Sequence, residues 1–423
     1  MATGYLSHTM STPTNRKKST ISAWVKKTSE GANSTIFGGG DAATDCAFLN
    51  FNTSDKLFLQ SATSDSADWG ITTSAVFRDS AAWYHVVAKI DTTQSTSTDR
   101  VKIYVNGNLQ TVTGSYPSQN YDMQWSRNGE VQLVGKYPST GIYFNGVMAH
   151  VHFTDGYAYD ASTFGETDST SGIWKPKTAP SVTYGTNGFF LKFENSAAMG
   201  TDSSGQSNTF TVNNSVTQNI DSPSNNFATG NPLNPDGTSA TTLINGNLTH
   251  NNNVSATGTI AVDKGKWYFE VKRQDNGGSI TNWMYCGYRP IDRYVGTSRL
   301  YRSSNGDYYN GSSYSSYGAS WGDGDIIGIA LDYDNDKIEF YKNGVSQGAK
   351  TSIGLCDGTL VTPQWQCSQS SGSPHLHANF GSGFFGTTAV ASANADGNGF
   401  GAFEYAVPSG YYALCTKNIK EFG

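Results

Sequence analysis

The chain has 423 residues, only 15% of them charged, a formal net charge of −6, and 47 Gly, 24 Tyr, 21 Phe and 9 Trp. That length supports two or three domains, each large enough for its own core. The composition excludes a basic face for nucleic-acid phosphates and the roughly 20 consecutive apolar residues that span a bilayer.

Aromatic and β-branched residues separated by Gly, Asn and Ser clusters predict many short strands and no long helix. Residues 19–25 (STISAWV) alternate, with Ile21, Ala23 and Val25 on one face and Trp24 on the other. Residues 34–37 follow, and Gly38-Gly39-Gly40 reads as a stop. Strands are expected at 47–51, 56–60, 83–90, 100–105, 130–134 and 146–153. Asn106-Gly107 closes a hairpin, since Asn-Gly supplies the positive φ angles of a type I′ turn. Residues 157–180 wrap the surface, with one short helix near 161–164. The three prolines of 221–235 (DSPSNNFATGNPLNP) mark a linker, to which Phe227 and Leu233 add possible anchor points. Beyond it, strands are expected at 257–262, 266–272, 325–332, 337–341, 375–380 and 410–414, with a second Asn-Gly hairpin at Asn343-Gly344.

The motifs STISAWVKKTS, STIFGGG, WYHVVAKID, VKIYVNGNLQ and GVMAHVHFTDG, spread over roughly the first 160 residues, resemble the laminin-G-like or concanavalin A-like jelly roll. That resemblance implies two packed antiparallel sheets with ligands on a concave face or rim loops. Residues 188–214 (GFFLKFENSAAMGTDSSGQSNTFTVNN) come after the apparent last strand, where the family often places such a segment first. A circularly permuted jelly roll over 1–220 is therefore expected. Downstream, GKWYFEVK, WGDGDIIGIALDYDNDKIEFYKNGVSQG and HANFG resemble the SPRY domain, expected over 236–423. That family implies a bent sandwich binding partners through loops at one end. The fold class expected is all-β, two antiparallel β-sandwiches.

The two domains in this order, with DSPSNNFATGNPL between them and PSGYYALCTKN at the end, resemble structural proteins of tailed bacteriophages, especially marine ones. The resemblance implies a virion surface role as tail fibre, capsid decoration or adhesin. It implies assembly in the host cytoplasm, a homo-oligomer on the particle, and other virion proteins and a host-surface glycan as partners. The charge and the apolar run lengths lead to no expected nucleic acid and no membrane insertion, and the SPRY resemblance implies a role other than catalysis. Two alternatives stand beside it: a purely architectural virion protein, and a glycan hydrolase on a jelly roll.

The stretch 294–321 is richest in recognition chemistry. Arg299, Tyr301, Arg302, Tyr308, Tyr309, Tyr314, Tyr317 and Trp321 are the expected ligand-binding residues, with Arg293 just before them. Rings stack on sugar faces and Arg donates to hydroxyls or carboxylates; the bland alternative is a long loop whose tyrosines pack on their own sheet. No catalytic residue and no resident cofactor is expected. Asp332, Asp334 and Asp336 begin like a calcium loop, but Lys337 stands where Gly is needed and Asn343 where Glu is needed. Asp202 sits in a second oxygen-rich loop, DSSG. These four are weak metal candidates beside ordinary turn chemistry. The pairs His150/His152 and His375/His377 lack a third zinc ligand. Glu166 and Asp168 are spaced like a glucanase acid pair, but Ser171 occupies the place of the third acid. Cys46, Cys286, Cys356, Cys367 and Cys415, with no apparent secretory signal, favour free thiols; Cys356–Cys367 is the one pairing to consider.

Overall fold

The computed structural model describes residues 3–41, 44–139, 141–233, 243–250, 255–275, 283–291, 297–367 and 375–423. The chain divides into two compact units, Met1–Gln218 and Asn219–Gly423. Each is a β-sandwich of one larger and one smaller sheet. Thr416–Phe422 is the one α-helix among the described residues, and no described helix is long and apolar enough to cross a membrane.

In the first unit, the larger sheet runs Val112–Ser115, Ser66–Thr73, Leu57–Thr63, Cys46–Phe51, Ser34–Gly40, Val131–Val134, Tyr5–Thr9, Thr211–Asn213. The smaller runs Phe189–Leu191, Gly146–Asp155, Lys18–Lys27, Tyr84–Asp91, Val101–Val105, Asn108–Leu109. Alternation sends Ile21, Ala23 and Val25 into the core against Phe37, Leu49 and Phe51, all fully buried. The segment 188–214 returns to both sheets: Phe189–Leu191 pairs with Val151–Phe153, and Thr211–Asn213 pairs with Tyr5–Ser7. Its Phe189 and Phe210 rings meet at 4.5 Å inside the core.

The glycines at 38–40 do not end their strand, contrary to the sequence reading. Ser34–Gly40 is continuous. A Cβ on Gly39 would lie 2.9 Å from Trp125 Cβ, so the missing side chain is what lets the buried indole seat there. The Asn-Gly turns form as expected, with Asn106 and Gly107 at φ 47° and 81°, and Asn343 and Gly344 at 49° and 78°.

Residues 157–187 lie across the outer face of the smaller sheet. Trp174 Nε1 donates to His85 Nδ1 at 2.9 Å, Tyr184 Oη bonds His152 Nδ1 at 2.9 Å, and Asp160 pairs with Lys89. Trp24, on the non-core side of its strand, is consequently only 3% exposed and stacks on His85 at 4.8 Å. The short helix expected here is a single 3₁₀ turn, Ala161–Thr163, followed by a small hairpin of Gly165–Thr167 and Trp174–Pro176.

In the second unit, the larger sheet runs Leu243–Ile244, Thr249–His250, His375–Asn379, Lys266–Gln274, Ile326–Asp332, Lys337–Lys342, Val345–Thr351. Tyr412–Ala413 adds beside Lys266–Gln274 in parallel, a departure from the all-antiparallel expectation. The smaller sheet runs Ser255–Thr257, Val361–Cys367, Met284–Pro290, Arg299–Arg302, Asp307–Tyr309, Tyr314–Ser316. The strand expected at 257–262 is instead Ser255–Thr257, with one isolated bridge from Val262 to Val361. The described part of the expected linker is packed chain. Phe227 is 2% exposed and bridges Cys415, and Ala228 N donates to Leu414 O at 2.9 Å. Apolar burial of Phe227 and Ala228 outweighs the proline signal; Leu233 stays exposed.

A C-terminal strap, residues 381–423, covers the outer face of this larger sheet. Phe403 meets Tyr268 edge-on at 5.1 Å, within a cluster that includes Ala330, Tyr411 and Ala413. Glu270 fixes the strap: its two oxygens accept the backbone N–H groups of Glu404 and Tyr405, each at 2.9 Å.

Candidate binding site

The smaller sheet of the second unit has its own outer face, built by alternation. Met284, Cys286 and Tyr288 point into the core, so Tyr285 points out. Tyr285 lies opposite Arg302, and Tyr309 lies opposite both Leu300 and Tyr314. Trp283, just before the strand, shares this side. These residues form a ladder of flat groups. The Arg302 guanidinium carbon lies 3.8 Å from the Trp283 ring centroid and 4.9 Å from that of Tyr314. Tyr314 meets Tyr309 in a tilted contact at 4.9 Å between ring centroids, and its hydroxyl meets that of Tyr285 at 3.1 Å. Trp283 is 45% exposed and Tyr314 46%. Burial, then the contact with Tyr314, pushes the Tyr285 hydroxyl well above its ordinary pKa.

The eight residues expected from the sequence therefore separate into two groups. Arg302, Tyr309 and Tyr314 stand on this outer face. Tyr301, Tyr308 and Trp321 belong to the hydrophobic core. Tyr301 is fully buried, its hydroxyl donating to Ala319 O. Arg299 is a structural clip, its guanidinium donating to the carbonyls of Ile353 (2.6 Å), Thr297 (2.7 Å), Gly354 (3.1 Å) and Ser298 (3.2 Å). Tyr317 is half-buried, meets Phe340 edge-on and donates to Gly348 O. The reason for the split is that 299–316 is not one loop but three short strands, whose alternate residues face opposite ways. Arg293 lies outside the described residues. Trp283, Tyr285 and Asp307 were missed. The signal was present in W-M-Y-C, where Trp283 and Tyr285 alternate with two core residues.

The metal candidates do not converge. Asp332 holds Asn335 and the Lys266 ammonium (3.0 Å), Asp334 accepts Gly265 N, and Asp336 accepts the N–H groups of Gly354, Leu355 and Cys356. Burial opposes ionisation of Asp336, yet those N–H groups outweigh it and hold its carboxyl below the usual range. Asp202 accepts from Phe190 N, Ser204 N, Ser204 Oγ and Asn208 N, closing its own loop. Among the described residues no cluster of three or more His, Cys, Asp or Glu is placed to hold a metal ion. None of the five cysteines is joined in a disulfide.

Two arrangements elsewhere look like catalytic fragments. Glu166 and Asp168 sit on an exposed hairpin, where Lys175 pairs with both, at 3.6 and 2.9 Å. Ser22 Oγ lies 2.8 Å from His85 Nε2. Because Trp174 donates to Nδ1, the neutral ring carries its proton on Nε2 and donates to Ser22. That is the reverse of what a base activating a serine requires. Burial pushes the His85 pKa down to about 3, which keeps the ring neutral. His377 is similarly engaged, between Thr249 Oγ1 (2.8 Å) and Gln274 Oε1 (2.9 Å).

Comparison with known proteins assigns both units. Residues 1–161 match the concanavalin A-like lectin/glucanases superfamily, and residues 266–358 match the SPRY domain. The chain carries a concanavalin A-like domain followed by a SPRY domain. The E3 ubiquitin-protein ligase RKP of Arabidopsis thaliana is 34% identical over 99 residues, which is 22% of this chain and 8% of that protein's length. The crystal structure of the SPRY domain of human HERC1 aligns at 19% identity and a TM-score of 0.30, covering 35% of this chain and 96% of that one. The Trp283–Arg302–Tyr314 ladder thus belongs to the SPRY domain; Arg302, Tyr309 and Tyr314 fall within its matched residues.

Proposed function

We propose that this protein is a non-catalytic surface component of a tailed-bacteriophage virion that binds a host-surface glycan through the outer face of the smaller SPRY sheet. The observation that carries the binding reading is the exposed Trp283–Arg302–Tyr314 stack. It places two half-exposed rings and a cation on a rigid sheet, the residue types that dominate recognition surfaces. The virion context rests on the order of the two domains and on the DSPSNNFATGNPL and PSGYYALCTKN segments. Free, mostly buried thiols suit assembly in a reducing cytoplasm. The engagement of Asp168 by Lys175 and the tautomer of His85 support a non-catalytic role.

A glycan array probed with the whole chain and with Trp283→Ala tests the binding reading. Retained binding by the variant, or release of reducing sugar from host polysaccharide, would overturn it. Mapping the chain in an electron-microscopy reconstruction of the particle tests the location. A position wholly enclosed by other subunits would favour the architectural role instead.

A further inference from the structure

The charge arrangement around the ladder narrows the class of sugar that fits it. This step rests on the reading of that face as a binding surface. Arg302 has its guanidinium carbon close to both the Trp283 and Tyr314 rings, at 3.8 and 4.9 Å from their centroids. It makes no hydrogen bond to any described residue; its Nε is buried and unmatched. Its one ionic partner among the described residues is Asp307, with Nη1 3.8 Å from Oδ2. That separation is too long for a hydrogen bond but short enough for the two charges to offset one another. Asp307 Oδ2 accepts Asn305 Nδ2 at 2.5 Å, while Oδ1 has no hydrogen-bond partner among the described residues. A donor and an acceptor with unfilled hydrogen-bonding capacity therefore lie side by side on one sheet face, their side chains 13% and 17% exposed between two half-exposed rings.

We infer that the Trp283–Arg302–Asp307–Tyr314 face takes an uncharged sugar residue bearing adjacent hydroxyls, and discriminates against acidic sugars. Each hydroxyl can both accept and donate. An adjacent pair can thus accept from the guanidinium and donate to the Asp307 carboxylate, while the C–H face of the ring lies on an aromatic side chain. A uronate or other acidic sugar meets two obstacles. Its carboxylate competes with Asp307 for Arg302, and to reach the guanidinium it must sit beside the like charge of Asp307, which offsets what the cation offers. The chain's formal net charge of −6 adds long-range repulsion of the same sign.

The test is calorimetric titration of the whole chain with neutral polysaccharides (dextran, galactan, mannan) and acidic ones (alginate, polygalacturonate), using wild type, Trp283→Ala and Asp307→Asn. Thermal melting confirms that each variant is folded; Trp283 is half-exposed and lies outside the core cluster, so its replacement leaves the fold standing. The expected result is binding to at least one neutral polysaccharide, at least tenfold weaker in Trp283→Ala. Asp307→Asn is expected to weaken neutral binding and to narrow the gap to the acidic polymers by at least tenfold. Acidic polymers bound best by wild type, and lost in Trp283→Ala, would overturn the sugar class and leave the binding face intact. An unchanged preference in Asp307→Asn would also overturn the sugar class. No binding in the panel, or binding indifferent to Trp283→Ala, would remove the binding face itself.

Discussion

The two outer faces of the SPRY sandwich present similar residues to opposite ends. The larger sheet carries Tyr268 and Glu270 on its outer side, and the smaller carries Tyr285 and Arg302. Over the first, the strap 381–423 lays Phe403 and Tyr411, so Tyr268 is 1% exposed. Over the second, Trp283 and Tyr314 remain half-open. An aromatic on the outside of a sheet is therefore not in itself a recognition residue. It is a candidate for recognition only where no described segment of the chain has returned to cover it. The concanavalin A-like unit repeats the lesson, with His85 and His152 sealed beneath residues 157–187.

The sharpest break of this comparison is between adjacent residues of one strand. Tyr308 faces the core and Tyr309 the outside. Tyr308→Ala is expected to destabilise the SPRY unit by about 3–5 kcal/mol through cavity formation, and Tyr309→Ala by about 0.5 kcal/mol. Chemical denaturation of the two variants measures this, and equal effects would erase the inside–outside division.

The covered face carries a pH signature near neutrality, set by Glu270. Burial raises the Glu270 pKa to about 7, against the hydrogen bonds from Tyr405, Glu404, Tyr268 and Asn379. The folded state therefore holds a proton that the unfolded chain, titrating near 4.5, releases. The associated stability is fully present below about pH 4.5 and is lost as pH rises through about 7, at a slope of at most about 1.4 kcal/mol per pH unit. Melting of wild type and Glu270→Gln across pH 4 to 8 should show this slope in wild type alone. A common slope would remove Glu270 as its source.

Trp283→Ala should weaken glycan binding by about 2 kcal/mol, roughly thirtyfold, with little change in melting temperature. A matching loss of stability would instead mark Trp283 as structural. The smallest effect concerns the strap of the first unit. His85 has its folded pKa lowered to about 3 by burial, so its contribution is present above about pH 6.5 and is lost as pH falls through about 3. Nitrogen chemical shifts should report a neutral ring protonated on Nε2 at pH 5, and a protonated Nδ1 there would contradict the lock formed by Trp174.

Much of the fold was legible because the evidence for it is local. Alternation placed Ile21, Ala23 and Val25 inward, and the two Asn-Gly pairs located their turns through backbone sterics alone. The Asp residues at 332–336 were equally legible as turn formers, and the structure uses each to bind backbone N–H groups or its immediate neighbours. The candidate binding face was only partly legible. Three of eight expected residues stand on it, because a stretch read as loop is in fact three strands with two sides.

The residues by themselves determined that the chain forms short strands in two sandwiches, since hydrophobic period and turn chemistry act over a few positions. Tertiary structure alone decided which outer faces stay open. Trp174 comes back to cover His85, 89 positions away, and Phe403 to cover Tyr268, 135 positions away. Covering a face is a contact between distant segments, governed by what the returning chain can bury, and no local pattern records it.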